Sequence, residues 1–132
     1  MIQRLDYTKL ALQVVAEQCR KDFFFFVKTF WDVIIKETPV FNWHIPFLCE
    51  ELQKLSVSIV LREPKPYDLI VNIPPGTTKS TIVTIMWPVW LWTQDPTIRI
   101  ITNSYSGGLS IEHATKSKDI ILSDKFQILF PN

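Results

Sequence analysis

The segment Glu63-Pro64-Lys65-Pro66 divides the chain into two parts whose apolar residues follow different periods. Prolines this close together fit neither a helix interior nor a central strand, so no regular element crosses the point. Upstream, apolar residues recur at helical spacing. Leu10, Ala11, Val14 and Val15 form one stripe over residues 8–20, with Gln13, Glu17 and Arg20 opposite. Asp22 stands where a cap is needed for a second helix carrying residues 23–26, Phe30, Trp31, Ile34 and Ile35, and Pro39 ends it. Its aromatic cluster reads as core packing and requires no ligand. Asn42 is the expected cap of a third helix over residues 45–55, where Pro46 is tolerated in the first turn.

Downstream the pattern shortens. Residues 68–73 read as a buried strand, residues 74–78 as a loop and residues 79–92 as a helix. Gln94-Asp95-Pro96-Thr97 turns the chain into a second strand over residues 99–104. Gly107-Gly108 then leads into a helix over residues 110–122, and a shorter one follows before Pro131. Strand, helix, strand, helix implies a βαβ crossover, so the expected fold is α/β with a parallel sheet behind an N-terminal helical segment.

Composition closes several function classes. Fourteen Lys and Arg against thirteen Asp and Glu leave a formal charge of +1, far from the strongly basic balance of a nucleic-acid-binding domain. Cys19, Cys49, His44 and His113 form no metal-ligand spacing, and two cysteines are too few for a disulfide framework. Free thiols in a reducing compartment are expected. The first ten residues lack the apolar core of a secretory signal. The longest uncharged run, Ser80 to Gln94, contains Pro88 and falls short of the roughly twenty apolar residues a membrane span requires. A soluble protein is the expectation.

The chemistry gathers at the loop. A phosphate-binding loop wraps backbone N–H groups around an anion at a helix N-terminus, and adds a lysine for the β/γ phosphates and a hydroxyl for magnesium. Ile73-Pro74-Pro75-Gly76-Thr77-Thr78-Lys79-Ser80 supplies the lysine, the hydroxyl and the flanking apolar elements. It departs from GxxxxGK[ST] at both glycines, with Ile73 and Thr78 in their places and Gly76 inside the loop. A lysine at a helix start opposes the macrodipole by roughly 0.3–1 kcal/mol, which a bound anion offsets. Because a β-branched residue resists positive φ, Gly76 rather than Thr78 is expected to make the unusual turn.

Three blocks together resemble the large terminase subunit of tailed phages: residues 72–81 around the loop, Trp87-Pro88-Val89-Trp90-Leu91-Trp92, and Asp95 through Tyr105. Asn42-Trp43-His44-Ile45 and Leu48-Cys49-Glu50-Glu51-Leu52 look like that family's segment on the adenine side, so residues 41–55 are the expected base region. The resemblance implies a P-loop NTPase-like core over residues 63–132 behind a helical segment over residues 1–62. It implies ATP and Mg2+ as cofactors. Pro75, Gly76, Thr77, Thr78, Lys79, Ser80 and Thr81 would surround the phosphates, with Lys79 as the catalytic lysine, Ser80 as the magnesium hydroxyl and His44 beside the base. The complete protein would drive double-stranded phage DNA into a procapsid in the host cytoplasm, outside the virion and any membrane. It would act as a homo-oligomeric ring with the portal protein and the small terminase subunit, and would cut DNA with a further nuclease domain.

Departures from the family pattern set expectations of their own. Thr78 replaces the glycine before the lysine, and Pro75 and Gly76 stand where many members carry an arginine finger. The Walker B acid and the nuclease are expected beyond Asn132, since Asp95, Glu112, Asp119 and Asp124 sit in turns or on helices. ATP binding without turnover is therefore expected of these residues alone. Arg99 opens its strand and would lie away from the nucleotide, whereas Asn103, Ser104 and Tyr105 end it and lie nearer. Two other readings stand beside this one: a helicase-like P-loop ATPase, and a non-catalytic interaction module. Lys116, Lys118 and Lys125 read as a solvated face rather than a DNA-binding stripe.

Overall fold

The computed structural model describes residues 7–74 and 78–131 of the chain. Its elements run α1 (Tyr7–Lys21), α2 (Phe23–Ile34), α3 (His44–Val60), a π-helical segment (Thr81–Met86) continuous with α4 (Trp87–Gln94), α5 (Gly107–Leu122) and α6 (Asp124–Leu129). No strand occurs among the described residues. The expected α/β fold with its P-loop NTPase-like parallel sheet is thereby corrected to an all-α architecture, and the βαβ crossover falls with it.

The reason lies in pairing. Leu69, Val71 and Ile73 are half-buried while Ile70 and Asn72 are exposed, and Ile98 and Ile100 alternate with exposed Arg99 and Ile101. This period of two marks extended chain. Yet no backbone–backbone hydrogen bond among the described residues involves 69–73 or 99–103. A strand exists through its ladder. Alternation in a sequence specifies which face is buried and says nothing of the partner.

α2 lies at the centre, packed by α1, α3, α4 and α5. Asp22 caps it as expected, accepting from the backbone N–H of Phe24 and Phe25 at 3.0 and 3.4 Å. Gln53 of α3 ties down the α1–α2 junction, accepting from Phe23 N–H at 3.0 Å and donating to the Lys21 carbonyl at 2.6 Å. Phe23, Phe26 and Phe30 are fully buried, with Phe23 5.3 Å from Trp90 and Phe30 5.7 Å from Phe126 between ring centroids. One hydrophobic core thus joins residues from both sides of the proline-rich break. α2 stops at Ile34, well before Pro39.

α3 starts at His44 with Trp43 in the cap position, and Asn42 contributes its carbonyl to Ile45 N–H rather than a capping side chain. It runs past residue 55 to Val60. There Arg62, at φ 59°, closes a Schellman turn: its N–H bonds the Ile59 carbonyl and Glu63 N–H bonds the Ser58 carbonyl at 2.9 Å.

The π-helical segment answers Pro88. In an α-helix Pro88 would strip the Thr84 carbonyl of its donor and press its ring against it. Widening the preceding turn shifts the register, so Trp87 N–H reaches the Ile82 carbonyl five residues back. Ser117 of α5 then donates to the Ile85 carbonyl at 2.9 Å. Ile82, Ile85, Met86, Val89, Trp90 and Leu91 are buried against the ring cluster of α2 and its neighbours. No described helix is long and apolar enough to cross a membrane.

Candidate functional site

Thr78 adopts φ 64°. The expectation that it would keep an ordinary conformation is therefore corrected, and it holds the left-handed geometry that glycine adopts freely. For a β-branched residue this stores about 1–2 kcal/mol of strain. Its carbonyl accepts Ile82 N–H at 3.2 Å, which opens the helical ladder. Lys79 and Ser80 follow in helical conformation ahead of the π-helical segment. Ser80 makes no capping bond with its side chain and is exposed, while Lys79 and Thr81 are half-buried. Pro75, Gly76 and Thr77 lie outside the described residues.

A cleft of about 300 Å³ opens beside Thr78. Its walls come from the end of α2 and its C-cap (Trp31, Ile35), the connection to α3 (Glu37, Asn42) and the first turn of α3 (His44). Asn42, His44 and Ile45, from the expected base region, thus share one cavity with Thr78. Trp31 is only 5% exposed, yet its indole Nε1–H has no partner among the described residues, and neither has the buried His44 Nε2. The other indoles in the core behave differently. Trp87 donates to Ser56 Oγ, Trp90 to the Cys19 carbonyl and Trp92 to the Ile98 carbonyl, each at 2.8 Å. A buried donor left unpaired costs about 1–3 kcal/mol, which applies to the Trp31 indole N–H, while His44 Nε2 is a donor or an acceptor according to tautomer.

The remaining sequence-derived residues divide. Asn103 and Arg99 line a separate groove, Tyr105 is exposed, and Ser104 bonds the Ser106 carbonyl and Ser110 Oγ at 2.6 Å each. Asp124 is exposed at the head of α6, where Ser123 supplies the cap. Asp95 accepts from the Thr97 hydroxyl and N–H and pairs with Arg62 at 3.0 Å, and those bonds, Thr97 first, hold its carboxyl below the usual range. Glu112 pairs with Lys116. Lys125 is not merely solvated: it bonds Asp32 at 2.7 Å and the Thr29 carbonyl at 2.8 Å, fastening α6 to α2. No group of three His, Cys, Asp or Glu side chains converges among the described residues.

Sequence reasoning missed Trp31 and Glu37. Trp31 sits in an aromatic run that reads as core, and nothing in the pattern tells that its N–H would lack a partner. No protein-family model, curated protein or solved structure matches the chain.

Proposed function

We propose that the chain binds ATP, with the base in the cleft beside Thr78 and the phosphates at the loop before Lys79. On this reading it is the nucleotide-gripping part of a DNA-packaging ATPase of the terminase type. The observation that carries ATP binding is that Trp31 and His44, each with a buried ring nitrogen unpartnered among the described residues, line one cavity together with Thr78. A cavity near 300 Å³ is at the small end for ligand pockets, fitting a planar base while the ribose and phosphates extend outside.

Trp31 Nε1–H donates to a ring nitrogen of the base. His44 Nε2 answers a donor or acceptor on its edge according to tautomer. Glu37 lies on the cleft wall and suits the ribose hydroxyls. Lys79 at the helix start offsets phosphate charge, aided by the N-terminal end of the dipole. Magnesium, when bound with the nucleotide, neutralises phosphate charge. The Ser80 hydroxyl, not engaged in capping, suits it as one ligand among phosphate oxygens and waters. None of Asp95, Glu112, Asp119 or Asp124 lines this cleft, which supports binding without turnover by these residues alone.

The packaging role, with double-stranded DNA, the portal protein, the small terminase subunit and a homo-oligomeric ring as its setting, rests on the resemblance of residues 72–105. The test of binding is titration with a fluorescent ATP analogue. Lys79→Ala and Trp31→Phe each weaken binding while the fold is retained, as judged by circular dichroism. Affinities equal to the parent's for both variants would refute the assignment.

A further inference from the structure

A second groove, of about 660 Å³, runs between residues 68–71 and residues 98–103 on the face formed by Leu55, Trp87 and Leu91. Its two long walls share an unusual property. Residues 69–73 and 99–103 carry no hydrogen bond among the described residues, although Leu69, Val71 and Ile100 are half-buried. Ile70, Asn72, Arg99 and Ile101 to Asn103 are exposed, so both walls present backbone N–H and C=O groups at the surface as an unpaired sheet edge does. We propose that the groove is a docking site for an extended apolar segment of a partner polypeptide, which lies between the two walls and bonds to both.

Three observations select this occupant. A helix or a lipid would fill the apolar floor but leave both rows of N–H and C=O groups unpaired, whereas one extended chain satisfies a row on each of its edges. A second copy of this chain has no suitable segment among the described residues. Its non-helical stretches are 35–43, interrupted by Pro39, and the two that already line the groove with their flanking turns. Charge adds direction. Lys65 at one end is neutralised by Asp68 at 2.9 Å, while Arg99 on the opposite wall has no ion pair among the described residues. The partner segment therefore alternates β-branched side chains over about five residues, matching the wall length at about 3.3 Å per residue. It carries an acidic residue opposite Arg99. Ile70 and Ile101, 80% and 87% exposed, flank it on the outer face and extend its apolar contact. This inference is independent of the nucleotide reading, since the cleft beside Thr78 shares no lining residue with the groove.

The probe is a labelled peptide, acetyl-Glu-Val-Thr-Val-Thr-Val-amide, followed by fluorescence anisotropy against the whole chain. Saturable binding is expected, with slowed amide exchange at residues 69–73 and 99–103. Methylating alternate backbone nitrogens of the peptide should weaken binding about tenfold or more, because it removes hydrogen bonds while keeping the side chains. Arg99→Glu, an exposed change, should weaken the glutamate peptide and favour the same peptide with lysine in its place. Absence of saturable binding up to about 1 mM would overturn the proposal. So would equal binding of the methylated peptide, which would mean apolar contact alone. A peptide-free dimer in sedimentation velocity that excludes the peptide would overturn it in favour of a second copy.

Discussion

Replacing Thr78 by glycine should stabilise the chain, and the comparison with Thr78→Ala isolates the cause. Both substitutions remove the threonine side chain and everything it touches, so they differ only in the presence of Cβ. At φ 64° a Cβ costs about 1–2 kcal/mol, which alanine retains and glycine avoids. Glycine gives back about 0.4–1 kcal/mol through the greater freedom of the unfolded chain. The difference leaves the glycine variant ahead of the alanine variant by about 0.8 kcal/mol. Unfolding entropy of about 2.1 cal/mol/K per residue over 132 residues converts this to a Tm higher by about 3 °C. The assay is differential scanning calorimetry of both variants in one buffer without nucleotide. Equal melting temperatures, or alanine above glycine, would refute the left-handed geometry at this residue. The account of how the loop enters the helix would go with it.

Ser117→Ala should lower stability by about 1–2 kcal/mol in urea titration, because the buried Ile85 carbonyl loses its donor at the π-helical turn. Asp95, with its carboxyl held low by Thr97 and then Arg62, contributes stability that is present above about pH 4 and lost as pH falls below it. Asp95→Asn should therefore melt below the parent at neutral pH and converge with it in acid. Burial pushes the Cys49 thiol up to about 12, so it stays protonated in the folded state while the unfolded chain ionises from about pH 8.5. Stability should fall between those values, and Cys49→Ala should flatten that part of the pH profile. Neither buried cysteine should react with a thiol reagent in the native state at pH 7.

Much of the helical skeleton was legible because its signals are local. Asp22 before a run of phenylalanines, Pro64 and Pro66 after α3 and the Asp95-Pro96-Thr97 turn each act within a few residues of themselves. The sheet was misread for the opposite reason. Residues 69–73 and 98–101 do alternate, but a ladder is a non-local event, and no described segment supplies one. The π-helical turn was latent in Pro88, whose missing N–H forces the preceding register to change. Of the residues proposed to hold the nucleotide, His44 and Lys79 carry a signal in the sequence motif. Trp31 was hidden among core aromatics, since an unpaired indole N–H depends on what surrounds it in three dimensions.

The most direct measurement of the central claim follows the indole N–H signals of the five tryptophans by 15N-edited NMR as ATP and magnesium are added. Trp31 is assigned by its disappearance in Trp31→Phe. On the account given, the Trp31 signal shifts and its hydrogen exchange slows as ATP saturates the cleft. The Trp87, Trp90 and Trp92 signals, already bonded inside the protein, stay in place. A Trp31 signal that remains unchanged through the titration would contradict nucleotide binding in this cleft.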